Sequence, residues 1–255
     1  MKICVAQTRP VKGETDKNIK IHKKFIDLAI SQGAKMIFFP ELSLTGYEPK
    51  LAKNLATTQD DRRFDDFQEI SDSHHITIGV GMPTKSNSDI LISMIIFQAH
   101  KSRKTYSKQI LHSDELPYFA NGQQQIILTS DQKKIAPAIC YESLQPEHAA
   151  RAFQNKAEIY IASVAKSANG VAKASEHYPD IAMQYSMTVL MSNCLGSCDD
   201  FESAGKSAIW NKDGLLVGQL NETAEGILLY DTDTEKVIEC FVMDRASTEG
   251  TQEAS

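Results

Sequence analysis

The 255-residue sequence lacks the segments that would place it in a membrane or outside the cell. No uninterrupted apolar run approaches the length of a membrane span, and the amino-terminal run is too short for a signal peptide. The five cysteines are an odd number spread through the chain, unlike the framework of a small secreted disulfide protein. These absences predict a cytoplasmic protein with reduced thiols and no membrane partner.

The sequence also lacks an excess of basic residues and any low-complexity linker. A formal net charge of −6 and a pI of about 5.7 argue against a general affinity for nucleic acid, which needs a concentrated basic surface. No segment rich in Pro, Gly or Ser divides the chain, so we expect one domain over residues 1–245. Residues 246–255 are small and polar and predict a flexible tail.

Motifs for metals, phosphates and dinucleotides are missing as well. Cys194 and Cys198 form a C-x3-C pair, but no second pair at matching spacing accompanies them. Gly205-Lys206-Ser207 resembles the end of a phosphate-binding loop, yet Asp200 stands where its first glycine should be. There is no G-x-S-x-G elbow and no dinucleotide fingerprint. We therefore expect neither a metal nor a cofactor.

Strand-like and helix-like segments alternate along the chain, which predicts an α/β fold of two layered halves. The long polar stretch 99–125 is predicted to be an irregular loop with a functional role. The predicted helices are 16–32, 60–74, 146–154 and 175–186. The predicted strands are 2–7, 36–39, 76–80, 90–97, 135–139, 159–163, 189–193, 207–210, 215–220 and 226–230.

Two chemically active residues stand at the ends of predicted strands. Glu41 follows strand 36–39, and ligands of open α/β sheets bind at the carboxyl ends of strands. Cys140 ends an apolar strand, and the helix opened by Pro146 is expected to direct its free amides toward the thiol and lower its pKa. From these residues alone, Cys140 is equally compatible with an inert core cysteine and with a nucleophile.

Four ordered segments together resemble the nitrilase, or carbon-nitrogen hydrolase, superfamily. The resemblance extends from Lys2 to about Tyr230, and several ordered blocks are far more specific than any single one. The segments are Phe38-Phe39-Pro40-Glu41-Leu42-Ser43-Leu44-Thr45-Gly46-Tyr47; Tyr106-Ser107-Lys108 leading to Glu115 and Tyr118-Phe119-Ala120-Asn121-Gly122; Ile139-Cys140-Tyr141-Glu142 with Pro146-Glu147; and Gly205-Lys206-Ser207-Ala208-Ile209 with Asp213-Gly214.

The resemblance implies a four-layer α-β-β-α sandwich and a Glu-Lys-Cys triad of Glu41, Lys108 and Cys140, with Glu115 as a second glutamate. A thiolate is the effective nucleophile, and an adjacent carboxylate can carry its proton to a leaving amine. The implied reaction is hydrolysis of a non-peptide C–N bond in a small linear amide or carbamoyl compound through a thioester. The implied assembly is a homodimer or a higher homo-oligomer.

Other residues of these segments are expected to contact the substrate or the oxyanion. Lys108 and the amide of Tyr141 are the candidates to stabilise negative charge on the substrate oxygen. Tyr47, Glu142 and Val164 are further expected contacts. Lys166 and His177 either contact an acidic substrate or face solvent.

The sequence departs from the family pattern at three segments near the expected pocket. Glu142 and Gln145 replace an aspartate and an aromatic residue, and the segments 163–167 and 181–185 lack the usual tryptophan and Arg-Ala-x-Glu-Asn residues. These changes leave the substrate open. The alternatives are nitrile hydrolysis, a catalytically inactive nitrilase-like binding protein, a redox protein using Cys194 and Cys198, and, as a lesser expectation, a subunit supplying ammonia to a synthetase.

Overall fold

A computed structural model describes residues 1–242, so the predicted tail at 246–255 lies outside the described residues. The α-helices are α1 Thr15–Ser31, α2 Ala52–Leu55, α3 Asp65–His74, α4 Pro146–Gln154 and α5 Ala168–Tyr185. The strands are β1 Lys2–Gln7, β2 Met36–Phe38, β3 Thr77–Ser86, β4 Asp89–Phe97, β5 Lys104–Ser107, β6 Leu128–Ser130, β7 Lys133–Ile139, β8 Ile159–Val164, β9 Thr188–Asn193, β10 Leu195–Cys198, β11 Phe201–Ala204, β12 Ala208–Trp210, β13 Leu216–Gln219, β14 Gly226–Asp231 and β15 Val237–Phe241.

These strands form two large sheets and one separate hairpin. The first sheet has the order β15-β14-β1-β2-β3-β4-β5, and the second has the order β13-β12-β9-β8-β7-β6. In each sheet the three central strands are parallel: β1, β2 and β3 in the first, and β7, β8 and β9 in the second. The hairpin pairs β10 with β11. Each half of the chain thus contributes the parallel centre of one sheet, and β14 and β15 from the second half complete the first sheet.

Alternating side chains on the central strands place the two sheets face to face. On β1, Ile3 and Val5 pack into the core between the sheets, whereas Cys4 and Ala6 pack with Phe25 of α1. Successive strand residues point to opposite faces, so one apolar strand serves two cores. The first sheet therefore has helices on one face and the second sheet on the other.

The second sheet has the same arrangement, with one face toward the first sheet and the other covered by helices. Ile159 and Ile161 of β8 face the first sheet, while Tyr160 and Ala162 pack with Ala174 and other residues of α4 and α5. Continuous apolar strands buried on both faces are typical of parallel sheets covered by helices. The layers run helix, sheet, sheet, helix, and the predicted four-layer α-β-β-α sandwich is confirmed.

Three segments differ from the sequence prediction. Helix α5 begins at Ala168, seven residues before the predicted start, because Ser167 caps it by accepting the Gly170 N–H at 3.4 Å. The predicted loop 99–125 contains β5, a short edge strand with little apolar signal. The hairpin β10–β11 is also missing from the prediction. Among residues 1–242, none of the helices combines the length and apolarity needed to cross a bilayer.

Candidate active site

The carboxyl ends of three strands bring together Glu41, Lys108 and Cys140. Glu41 lies just after β2, Lys108 directly follows β5, and Cys140 directly follows β7. The ammonium of Lys108 is fully buried and donates hydrogen bonds to Glu41 Oε1 at 2.7 Å and to Glu115 Oε1 at 2.6 Å. The four predicted residues thus meet at one place, although they come from both halves of the chain.

The turn carrying Glu41 packs closely against β3. A Cβ atom at Gly81 would lie 2.4 Å from the Leu42 nitrogen and 2.5 Å from the Pro40 oxygen, so only glycine fits there. The Ser43 hydroxyl accepts the Gly81 N–H at 3.1 Å and lies 2.9 Å from His22 Nε2. Burial lowers the pKa of His22 to about 3, so the neutral ring accepts the hydroxyl proton.

A second close approach fixes the segment carrying Lys108. The Gly122 N–H donates to the Lys108 carbonyl at 2.7 Å, and a Cβ atom at Gly122 would lie 2.2 Å from the Ser107 oxygen. Gly122 belongs to the fragment Tyr118-Phe119-Ala120-Asn121-Gly122 that the family resemblance includes. A buried ammonium between two carboxylates needs such fixed backbone geometry to keep its charge compensated.

Cys140 lies in a strained turn rather than at the end of a long helix. Its φ is +49°, and it opens a short 3-10 helix, Cys140–Leu144, that separates it from α4. The Ser143 hydroxyl donates to the Cys140 carbonyl and lies 2.7 Å from the Tyr178 hydroxyl of α5. The free amides beside the thiol therefore belong to this turn, and the expectation that α4 supplies them is wrong.

Glu142 connects the Cys140 turn to the Lys108 segment. Its Oε1 accepts the Ile139 N–H at 2.7 Å and the Tyr106 hydroxyl at 2.6 Å, and its Oε2 accepts the Gln109 N–H at 2.6 Å. Both carboxylate oxygens are engaged in a fully buried network. The expected substrate contact at Glu142 is therefore wrong, because this side chain holds the backbone next to Cys140 and Lys108.

Replacing Glu142 by glutamine is expected to weaken both folding and catalysis. The amide has one acceptor oxygen where the carboxylate has two, so either the Ile139 or the Gln109 N–H loses its partner, at a cost of about 1–3 kcal/mol. The free energy of unfolding can be measured with urea. The exposed Glu176→Gln in α5 is the matched control and should change little; equal stability of the two variants would contradict this role.

Burial shapes the charge state of the site. Burial raises the pKa of Glu41 to about 7, although the Lys108 ammonium acts in the opposite direction. Burial also raises the pKa of the Cys140 thiol to about 11, and the nearby Glu41 carboxylate adds to the rise. The expectation of a lowered thiol pKa is therefore wrong. Lys108 is kept charged, because its carboxylate neighbours outweigh burial and raise its pKa above the ordinary value.

Three groups of the protein hold Glu115 at the cavity wall by hydrogen bonds. Its Oε1 accepts from Lys108 and, at 3.0 Å, from the Tyr47 hydroxyl, while its Oε2 accepts the His112 N–H at 2.7 Å. Tyr47 also lines the cavity. The structure thus places Glu115 as a partner of Lys108, and Tyr47 as a partner of Glu115.

A cavity of about 280 Å³ opens beside the thiol. Tyr141 and Lys166 lie in its wall, whereas Val164 packs on the helical side of β8 and His177 lies outside the wall. The expected contact at Val164 is wrong because strand alternation turns its side chain away from the cavity. The lining residues are Tyr47, Lys108, His112, Asp114, Glu115, Cys140, Tyr141, Leu144, Ala165, Lys166, Ser167, Gly170, Lys173 and Phe201.

Sequence reasoning missed several of these residues. His112 lies in the predicted loop, Lys173 lies on the part of α5 that precedes the predicted helix start, and Phe201 lies on the unpredicted hairpin. The Ser167 cap before the helical pattern was an available signal for the earlier start of α5. Cys194 and Cys198 are buried with their sulfurs 3.6 Å apart, and residues 1–242 contain no cluster of potential metal ligands.

Curated proteins of related sequence include a synthetase and a hydrolase. A glutamine-dependent NAD(+) synthetase of Thermotoga maritima is 22% identical over 254 residues, which cover 96% of this chain and 44% of that protein. A hydrolase of the agr operon of Staphylococcus aureus is 22% identical and is covered over 93% of both chains. Some of these curated relatives are thus about twice as long as the matched region.

Solved structures share the fold. A mutant amidase from Nesterenkonia sp. AN1, which carries acrylamide added to its active-site cysteine, matches with a TM-score of 0.84 at 20% identity. The match covers 92% of this chain and 94% of that one. The family model for carbon-nitrogen hydrolases matches residues 2–240, nearly the entire described chain. The chain therefore belongs to the carbon-nitrogen hydrolase family.

Proposed function

We propose that this enzyme hydrolyses the C–N bond of a small linear amide through a thioester on Cys140, with Glu41 as the proton carrier. The supporting observation is the fully buried group Glu41–Lys108–Glu115 beside a half-buried thiol in a small cavity. Glu41 Oε1 is held by Lys108, while its buried Oε2 has no hydrogen-bond partner among residues 1–242. That oxygen is the proposed proton acceptor.

In the first half of the proposed reaction, the Cys140 thiol attacks the amide carbon. The S–C bond forms as the thiol proton moves to Glu41, which is necessary because a thiol with a pKa of about 11 is protonated at neutral pH. Negative charge develops on the amide oxygen. The C–N bond then breaks, and the proton on Glu41 passes to the departing nitrogen, which leaves as ammonia or an amine.

In the second half, water attacks the thioester carbon. Glu41 accepts a proton from this water, the C–S bond breaks, and the same proton returns to the sulfur of Cys140. A carboxylate with a pKa of about 7 suits both directions of transfer, because it is neither too weak a base nor too weak an acid near neutral pH. The products are a carboxylic acid and the free enzyme.

Two groups are proposed to stabilise the oxyanion. Lys108 stays charged and fixed by two carboxylates, so it supplies a permanent positive charge. Tyr141 belongs to the first turn of the 3-10 helix that starts at Cys140, where backbone N–H groups lack intrahelical partners. Both groups line the cavity beside the thiol.

An ammonia-release screen tests this function. The panel contains short amides, carbamoyl amines and nitriles, each assayed with the wild type and with Cys140→Ala. Amides are expected to give the highest turnover, and the variant should give none above background. A preference for nitriles would support the alternative chemistry with the same triad, and no turnover of any compound would support the inactive binding protein.

A second candidate is glutamine hydrolysis that supplies ammonia to another active site. The similarity to glutamine-dependent NAD(+) synthetases over 96% of this chain favours its inclusion. Glutamine therefore belongs in the panel, together with asparagine. A kcat/KM for glutamine above that for every simple amide would favour this candidate over the first.

A homodimer is the assembly that the family resemblance implies, and it stays a proposal for this chain. Exposed apolar side chains on the outer helical layer of the second half suit such an interface: Phe153 of α4 and Met183 of α5. Apolar residues exposed on a helical face are common in contacts between subunits.

A further inference from the structure

Lys166 is a buried cation in the cavity wall for which the described protein supplies no counter-ion. Its side chain is only 6% exposed, and it lines the cavity together with Cys140. The lysine ion pairs found among residues 1–242 all involve other lysines. The unpaired ammonium at the end of this side chain is therefore available to the cavity, where it would stabilise an anionic group.

The acidic residues of the cavity are already engaged elsewhere. Glu115 bonds Lys108, Tyr47 and the His112 backbone, and the Asp114 carboxylate lies 2.5 Å from the His112 ring. Lys108 is compensated by two carboxylates, but Lys166 and Lys173 add two more cations to the same wall. Asp114, the remaining carboxylate of the wall, pairs with the His112 ring, so Lys166 itself has no carboxylate partner in the cavity.

The structure fixes Lys166 in place. Its backbone N–H donates to Asn193 Oδ1 at 2.8 Å, and its carbonyl accepts from Asn193 Nδ2 and from the Ser203 hydroxyl, each at 3.1 Å. A Cβ atom at Gly170 would lie 3.1 Å from the Lys166 Cβ, so glycine in α5 leaves room for the lysine stem. These contacts fix the backbone from which the Lys166 side chain extends to the cavity.

The amino end of α5 adds to the same electrostatic field. Ser167, which caps this 18-residue helix, and Gly170, in its first turn, both line the cavity. A helix amino terminus attracts anions through its free N–H groups and its dipole. The buried ammonium and the helix end therefore favour negative charge in one region of the cavity.

We propose that the substrate is a short monoamide whose acyl chain ends in a carboxylate, with the amide at Cys140 and the carboxylate at Lys166. This inference rests on the proposed amide hydrolysis. Cys140 Sγ lies 3.8 Å from the carbonyl oxygen of Ala165, the residue before Lys166, and the cavity is small, so the acyl chain is short. Glutamine also carries a carboxylate, but its α-ammonium would lie beside the Lys166 ammonium, so glutamine is the poorer substrate under this assignment.

Paired substrates test this assignment. Succinamate and 4-oxopentanamide have nearly the same shape, but only the first carries a negative charge. The wild type is expected to favour succinamate in kcat/KM by about 10- to 100-fold, the range for a hydrogen bond between charged groups. Lys166→Met should bring the ratio of the two kcat/KM values close to one, and the exposed Lys101→Met should keep the wild-type ratio.

The contrary outcomes are distinct. Equal wild-type kcat/KM values for the two compounds would overturn the proposal, as would a Lys166→Met variant that loses both activities equally, because the lysine would then act on the thiol or the fold. The proposed function would survive either result. Higher turnover of glutamine than of succinamate would also overturn the carboxylate assignment.

A second measurement applies even if no amide is hydrolysed, in which case the proposed function itself fails. Cys140 is alkylated with 3-bromopropionate or 3-bromopropionamide, and the rates are read by peptide mass spectrometry. The anionic reagent is expected to gain relative to the neutral one in the wild type and to lose this gain in Lys166→Met. An unchanged ratio of rates would contradict an anion site at Lys166.

Discussion

Cys140→Ala is expected to reduce kcat/KM for amide hydrolysis by at least about 10⁴-fold, the scale seen when a catalytic nucleophile is removed. The variant keeps the Glu41–Lys108–Glu115 group but has no atom that can form the thioester. The thiol is half-buried at the cavity, so alanine leaves a small space rather than an unpaired charge. Initial rates of ammonia release at substrate concentrations well below KM measure the loss, and circular dichroism checks the fold.

Cys194→Ala is the matched control because it removes another thiol near the cavity. It is expected to keep turnover, since Cys194 is buried, donates a hydrogen bond to the Ser203 hydroxyl and does not line the cavity. Iodoacetamide should modify Cys140 before Cys194 or Cys198. Faster labelling of the Cys194–Cys198 pair, or full turnover by Cys140→Ala, would reject covalent catalysis at Cys140 and favour redox chemistry.

Glu41→Gln is expected to lower kcat/KM by about 10²- to 10⁴-fold, the usual contribution of general acid–base catalysis. Glutamine can still accept from Lys108 but cannot carry a proton. In the wild type, Glu41 must be ionised to act as a base, so kcat/KM should rise with pH through a midpoint near 7. Below that midpoint the carboxyl is protonated, and catalysis is lost.

The pH profile of Glu41→Gln distinguishes a proton carrier from a residue that only positions Lys108. The variant should lack the rise near pH 7, and its residual activity should increase only at higher pH, where thiolate forms without a base. That increase is expected below the wild-type thiol pKa of about 11, because the Glu41 charge that adds to this pKa is gone. Glu48→Gln, which replaces another buried glutamate with a lysine partner, is the control and should keep the wild-type profile. A rise near pH 7 retained in Glu41→Gln would assign that titration to another group.

The raised pKa values of Glu41 and Cys140 support the proposed roles of these two residues, with Cys140 as a neutral thiol and Glu41 as the base that removes its proton. A thiol with a low pKa would be ionised before substrate binds and would need no adjacent base. Here both groups are made less acidic by burial, and the neutral thiol depends on the carboxylate to remove its proton. Lys108 is the charged member of the site, because two carboxylates compensate its burial.

Much of the molecule follows from local patterns in the sequence. The continuous apolar runs of β1 and β8 predict strands with two buried faces. Helix α4 is predicted with its observed bounds because Pro146 marks its start. Short polar elements give no comparable signal. Strand β5 and the hairpin β10–β11 form because a neighbouring strand or segment supplies their partners, and this contact is not encoded in local periodicity.

The sequence alone determined the residue types of the site and their place at strand ends. It could not determine where each side chain points or which charge state it has. Val164 faces away from the cavity because of its register on β8, and Glu142 turns to three backbone and hydroxyl donors. The pKa of Cys140 rises because burial outweighs the lysines near it. These properties depend on which distant segments surround a side chain, so only the tertiary structure decides them.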